Sequence, residues 1–167
     1  MLTGGFNYSI GKAIWRDRDD PDLGYQTRFS IWRSIKPHER VLIQPEINNV
    51  KMDRLDSYLA DPIHEGEEKE IFNATVFRTR VNVQFNRELN LRLIVQYVDE
   101  STQDDSYRAV SIEPLVTYKI NPFTKFYIGM NSGYDYVNPN EDNNLIDSKY
   151  SLNNRQFFAK FQYLFRM

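Results

Sequence analysis

The chain has 167 residues, which is long enough for one domain with its own core. Its formal net charge is −2, so it has no overall positive potential that would attract nucleic acid. It contains no cysteine, which excludes disulfide bonds and thiolate metal sites. No continuous apolar run approaches the roughly 20 residues of a membrane-spanning helix. A β-barrel crosses a membrane with strands instead, and its signal per segment is weak.

Alternation of apolar and polar side chains predicts three strands in the first third of the chain, at about 5–15, 25–34 and 40–52. Lys12 interrupts the apolar side of the first strand. Pro37, in the short segment 35–39, predicts a turn after the second strand. Pro45 cannot donate a hydrogen bond, so it predicts an edge, a bulge or a strand end in the third.

The clearest alternation lies in the hairpin from Ile71 to Tyr97, which forms the predicted fourth and fifth strands. In the fourth strand, apolar side chains such as Phe77 and Val81 alternate with polar ones such as Arg78. Successive side chains of a strand point to opposite faces, so this pattern predicts a sheet with one apolar and one polar face. A turn is predicted at 86–88.

Three more strands are predicted at about 108–120, 125–137 and 155–167, with a tight turn at 121–124. The other connections are longer segments at 17–24, 53–70, 99–107 and 138–154, the second of which we expect to hold a short helical turn at 55–59. Eighteen of the 23 acidic residues fall in these four segments. Short turns on one side and long loops on the other are typical of an outer-membrane barrel.

We therefore expect an all-β fold, an antiparallel up-and-down transmembrane β-barrel with about eight strands in a single domain spanning 1–167. Strands of ten residues or more suit a bilayer crossing, and aromatic residues lie near the predicted strand ends. The expected location is the outer membrane, and the expected partners are membrane lipid and lipopolysaccharide. The alternative is a soluble antiparallel barrel or sandwich that binds a small ligand and covers its apolar face with a second protein layer.

Two groups of residues carry the functional expectations. The first is a lumen-facing polar network joined by salt bridges, comprising Arg78, Arg80, Arg92, Glu113, Lys119, Lys125, Asp135 and Lys160. Opposite charges satisfy one another in such a network and would tune or plug a pore. The second is a C-terminal insertion signal of alternating aromatic residues, comprising Phe157, Phe161, Tyr163 and Phe165.

No catalytic constellation, metal site or cofactor is expected. The only histidines are His38, in a predicted turn, and His64, in the longest loop, and no spacing joins either to a nucleophile. The acidic segments lack the spacing of a calcium-binding loop. Aromatic rings and arginines fall on opposite faces of the predicted hairpin, so stacking and phosphate contacts could not cooperate on a nucleic acid.

Three stretches, 77–97, 118–129 and 154–166, carry a resemblance to a known family. They resemble the C-terminal end of a family of large Gram-negative outer-membrane β-barrel proteins of unknown function. Its members often carry an N-terminal carbohydrate-binding module of the family-nine type, which has no counterpart in this chain. The resemblance implies the last strands of a longer barrel, a role as a pore or in transport, recognition by the barrel assembly machinery, and a link to glycans through the missing module.

Overall fold

The computed structural model describes residues 1–15, 22–55, 69–102, 105–137 and 149–164. None of these residues belongs to a helix that could span a membrane. They form eight β-strands: Leu2–Trp15 (β1), Asp22–His38 (β2), Val41–Arg54 (β3), Glu70–Gln84 (β4), Leu89–Thr102 (β5), Ser106–Asn121 (β6), Thr124–Val137 (β7) and Lys149–Tyr163 (β8).

All eight strands belong to one sheet, in the order in which they occur along the chain. Each strand pairs antiparallel with its neighbour in sequence. The predicted all-β, up-and-down arrangement of eight strands is therefore confirmed. Among the described residues no ladder joins β1 to β8, so the sheet remains open.

The sheet has two ends, which we call the turn rim and the loop rim. The turn rim carries the connections β2–β3, β4–β5 and β6–β7, and both predicted hairpin turns lie there. In one, Asn86 Oδ1 accepts hydrogen bonds from the backbone N–H groups of Glu88 (2.9 Å) and Leu89 (2.6 Å). In the other, Asn121 Oδ1 accepts from the Phe123 N–H at 2.9 Å. Asparagine favours turns because its side chain can bond the backbone in this way.

The prediction that 35–39 forms a turn around Pro37 is wrong. Strand β2 continues to His38, and only residues 39 and 40 separate it from β3. The β2–β3 register shifts between Ile35 and His38, which marks an irregularity in the ladder. Proline has no N–H to donate, so it is tolerated in a strand at such an irregularity.

The prediction of a long loop at 99–107 is also wrong. Strand β5 runs to Thr102 and β6 starts at Ser106, so only 103–105 connect them. Asp99 lies opposite Arg108 in the ladder, and its carboxylate accepts from Arg108 Nε at 3.3 Å. This ion pair extends the hairpin through a segment whose acidic residues had suggested a loop. The loop rim therefore holds one short connection among three longer ones.

Pro45 lies inside β3, opposite Thr79 of β4. On its other side the β2–β3 ladder has no paired positions between Trp32 and Ile35. The missing donor of Pro45 therefore coincides with a gap in that ladder, and the predicted edge, bulge or strand end at this position is wrong. Residues 56–59 of the predicted helical turn at 55–59 lie outside the described residues.

The sheet has almost no core of its own. Met52, Ile71 and Ile94 are the buried hydrophobic side chains among the described residues. Because every described strand lies in the same sheet, no second layer packs on either face. Burial of apolar surface is the dominant favourable term in folding, so the stability of this sheet depends on what covers its apolar side.

Candidate functional site

The ladder register sorts the side chains of the sheet into two faces. In the central hairpin, Phe77 pairs with Tyr97 and Val83 with Leu91, and we call the side carrying these residues the apolar face. Between them, Arg78 pairs with Gln96 and Asn82 with Arg92 on the opposite side, which we call the polar face. Cross-strand partners share a face, so the registers extend both faces over all eight strands.

The register places all eight residues of the expected polar network on the polar face. They are Arg78, Arg80, Arg92, Glu113, Lys119, Lys125, Asp135 and Lys160. The structure does not join them into the expected salt-bridge network. No two of these eight described residues form an ion pair; the ion pairs among the described residues involve Lys51, Asp53, Glu70, Asp99 and Arg108.

The centre of the polar face holds two guanidinium groups with unsatisfied donors. The Nε atoms of Arg78 and Arg80 are buried and have no hydrogen-bond partner. Glu46 lies directly opposite Arg78 in the ladder, but its carboxylate accepts a hydrogen bond from Asn48 Nδ2 at 2.8 Å. A buried donor without a partner costs about 1–3 kcal/mol, and this pair of arginines lacks hydrogen-bond acceptors within the described chain.

A cavity of about 230 Å³ opens beside these arginines. Its lining includes Trp32, Gln44, Glu46, Arg78 and Arg80. Trp32 and Glu46 are cross-strand partners, as are Gln44 and Arg80, so three adjacent strands build the cavity from consecutive rungs of the sheet. Trp32 therefore lines the same cavity as the two arginines.

Asp135, the acidic member of the network nearest the loop rim, is held by hydrogen bonds rather than by a cation. Its carboxylate accepts from the Tyr107 hydroxyl at 3.0 Å and from the Asn153 side-chain amide. These partners come from β6 and β8, the two strands that flank β7. Asp135 thus links β6, β7 and β8 by hydrogen bonds at the loop rim and does not neutralise Arg78 and Arg80.

Three lysines lie on the polar face near the turn rim. Lys119 and Lys125 are direct cross-strand partners, and Lys160 pairs with Tyr127, the next polar-face residue of β7. No carboxylate of the described residues forms an ion pair with any of them. Like charges directly opposite one another destabilise a sheet, so this arrangement is not explained by stability.

The apolar face carries a band of hydrophobic side chains that no other described part of the chain covers. Phe161 is 61% exposed and Val95 37% exposed, although both are large and apolar. In the central hairpin the band runs from Phe77 to Phe85 and from Tyr97 to Leu89. Eight residue steps at the rise of an antiparallel strand give a length of about 27 Å along the strand. At the strand tilt of about 35–45° that membrane barrels have, this length spans a height of about 19–22 Å. The apolar band of membrane barrels is about 25 Å tall.

Aromatic and charged groups mark the loop-rim edge of this band. The Phe77 and Tyr97 rings lie 6.1 Å apart, and the Tyr97 hydroxyl donates to Asp99 at 3.1 Å. Arg108, which pairs with Asp99, also lies 5.6 Å from the centre of the Tyr136 ring. Sequence reasoning placed aromatic residues near the strand ends but missed the ion pair, because Asp99 was assigned to a loop.

No family model, curated protein or solved structure matches this chain.

The described residues of the expected insertion signal lie on the apolar face at the edge of the sheet. Phe157, Phe161 and Tyr163 pair with Met130, Phe126 and Thr124. All three are more than half exposed, as expected for side chains on an edge strand. Phe165 lies outside the described residues.

Among the described residues no group of three or more metal-ligating side chains comes together. The His38 ring accepts a hydrogen bond from the Arg40 backbone N–H at 3.2 Å, which is a local contact in the β2–β3 turn. His64 and its acidic neighbours in the longest loop lie outside the described residues.

Proposed function

We propose that this chain is part of the wall of an outer-membrane β-barrel with a pore or transport role. The observation that carries the proposal is the exposed apolar band on one face of a single sheet. In water such a band would have to be covered by a second layer. In a bilayer, hydrocarbon chains cover it, and the polar face then lines an aqueous interior.

The two edges of the band support lipid over a protein layer. Toward the loop rim, β3 changes from Ile47 to Asn49 and then to Lys51, which pairs with Asp53 at 3.1 Å and Glu70 at 3.0 Å. Toward the turn rim, Phe85 and Phe123 are about half exposed. Aromatic rings followed by polar groups are typical of the membrane interface.

The open edges of the sheet add a requirement to this proposal. Strands β1 and β8 present unpaired backbone groups, and each such group costs several kcal/mol in hydrocarbon. We propose that further strands close the wall, in keeping with the resemblance of 77–97, 118–129 and 154–166 to the end of a larger barrel. A connection with glycans would then come from a separate module of such a protein.

Adjacent residues on opposite faces provide the test, because the natural chain has no cysteine and one added thiol is a unique label site. Val95→Cys places the thiol on the apolar face, and Gln96→Cys places it on the polar face of the same strand. Each protein is labelled with an environment-sensitive fluorophore and reconstituted in vesicles that contain brominated lipid. We expect bromine to quench the label at position 95 and to leave the label at position 96 largely unquenched.

The soluble alternative gives a different result. A sheet covered by a second protein layer would stay monodisperse without detergent, and neither label would be quenched by brominated lipid. Equal quenching at both positions would also contradict the proposal, since it would mean that the two faces do not meet different solvents. A second pair, Phe161→Cys and Lys160→Cys, repeats the comparison on β8.

A further inference from the structure

The charge of the polar face is strongly one-sided. Among its ladder-paired residues whose side chains the structure describes, the basic ones are Arg28, Arg54, Arg78, Arg80, Arg92, Lys119, Lys125 and Lys160, and the acidic ones are Glu46, Glu100, Glu113 and Asp135. The described part of this face therefore carries twice as many basic as acidic groups, although the whole chain is slightly acidic. Such a surface concentrates anions and repels cations.

We propose that the polar face binds and guides small anions whose charge is carried by phosphate or carboxylate groups, with Arg78 and Arg80 as the main contact. This inference rests on the proposed function, in which the polar face meets water. The two arginines are successive polar-face residues of β4 and line the same cavity. A planar guanidinium offers paired donors that match two oxygens of a carboxylate or phosphate.

The unsatisfied donors make an external acceptor the simplest explanation of this cluster. Both Nε atoms are buried without a partner, neither arginine forms an ion pair with a described residue, and a solute oxyanion in the adjacent cavity would meet both guanidinium groups. The nearest polar-face carboxylates do not fill this role. Glu46 is bonded to Asn48. Glu113 shares a rung with Arg80, but Ile94 of β5 lies between them and they form no ion pair. A cation at this place would meet two guanidinium groups.

The lysines near the turn rim extend the cationic surface along the direction of the strands. Lys119 and Lys125 face each other, and Lys160 lies on the neighbouring strand. Repulsion between these lysines destabilises the isolated sheet, and a bound anion would reduce that repulsion. Pores that select anions are lined by arginine and lysine.

Trp32 offers a direct measurement of the potential at the cavity. It lines the cavity with both arginines and is 48% exposed, so quenchers in solution can reach it. The chain has two tryptophans, and Trp15→Phe leaves Trp32 as the only one. The full chain in an uncharged detergent is titrated at low ionic strength with iodide, with caesium and with neutral acrylamide.

We expect iodide to quench Trp32 more strongly than caesium, each relative to acrylamide. In the Trp15→Phe background, Arg78→Gln with Arg80→Gln is expected to lower the iodide constant about twofold, because a unit charge several ångströms away in water changes the local concentration of a monovalent ion by only a small factor. Lys12→Gln with Arg87→Gln removes the same charge from the apolar face and from a turn. This control is expected to leave the iodide constant unchanged.

Pyrophosphate and citrate then test the class of anion. At equal ionic strength, each is expected to protect Trp32 from iodide more than sodium chloride does, and only when Arg78 and Arg80 are present. Protection by one of the two assigns the contact to phosphate or to carboxylate. Protection by neither, or equal quenching by iodide and caesium, overturns the proposal. Because these measurements need no lipid, they can fail while the labelling experiment at Val95 and Gln96 succeeds, and the reverse also holds.

Discussion

The ring of Phe158 covers Gly129, its direct cross-strand partner on the polar face. A Cβ added at Gly129 would lie 2.5 Å from Phe158 Cε1 and 3.1 Å from Leu115 Cδ1. Trp32 and Gly5 form a second pair of the same kind between β2 and β1. An aromatic ring laid over a glycine restores the side-chain contact that the glycine lacks, and it fixes the register of two strands.

Gly129→Ala is therefore expected to lower the free energy of unfolding by at most about 1–3 kcal/mol, because the Phe158 ring, which is 50% exposed on an edge strand, must move to admit the extra carbon. Gly11→Ala is the matched control, because a Cβ at Gly11 meets nothing within 4 Å. That variant is expected to be neutral or slightly stabilising. Urea unfolding in detergent, followed by tryptophan fluorescence, compares them. Equal stability of the two variants would show that the Phe158 ring does not occupy the space above Gly129.

The cost of an added charge at two positions along the apolar face tests whether a bilayer surrounds that face. Val95→Arg is expected to destabilise the reconstituted protein by about 2–4 kcal/mol, and Ser101→Arg by about 0–1 kcal/mol, because arginine costs most at the bilayer midplane. Both residues lie on the apolar face of β5, and Ser101 lies near the loop rim. Unfolding of both variants in the same vesicles gives the difference. A similar cost at both positions would argue against a bilayer.

Alternation of side chains along 71–97 was enough to predict both strands and both faces of that hairpin, because a period of two has a single structural reading. Pro37 misled the prediction, because proline marks either a turn or an irregular strand position and composition does not distinguish them. Asp99 misled it because its ion pair with Arg108 depends on a register that the sequence does not specify. For the same reason, the sequence does not specify whether the two edge strands, β1 and β8, pair with each other.

The sequence predicts which residues lie on the polar face, but it does not predict the ion pairs and hydrogen bonds that they form. Parity along each strand put Arg78, Glu113 and Asp135 on one side. The distances between their charged groups depend on register and on local hydrogen bonds, such as that from Tyr107 to Asp135. Phe158 shows the same limit. Its parity with Gln156 and Lys160 places it on the polar face, but nothing in the sequence indicates that its ring covers Gly129.

The β4–β5 turn depends on one side chain. Asn86→Ala removes the acceptor of two backbone N–H groups, and we expect it to lower the free energy of unfolding by about 1–2 kcal/mol. Arg87→Ala, the next residue in the same exposed turn, is the control and is expected to change it by less than about 0.5 kcal/mol. Asn86→Asp keeps the acceptor and should recover most of the loss. If Arg87→Ala and Asn86→Ala were equally costly, the side-chain bond would not be what holds the turn.

Lys119 and Lys125 face each other across the β6–β7 ladder at the turn rim. Lys119→Glu converts a like-charged pair with Lys125 into an opposite-charged one, which is expected to stabilise the sheet by about 0.2–1 kcal/mol. Lys119→Gln removes the repulsion alone and is expected to lie between the two. Unfolding free energies are compared at low and high salt, because ionic screening should shrink the gain from glutamate. The glutamate variant should also show less anion protection if the lysines belong to the same cationic surface as Arg78 and Arg80. A gain in stability that persists in high salt would mean that packing, and not charge, separates these variants.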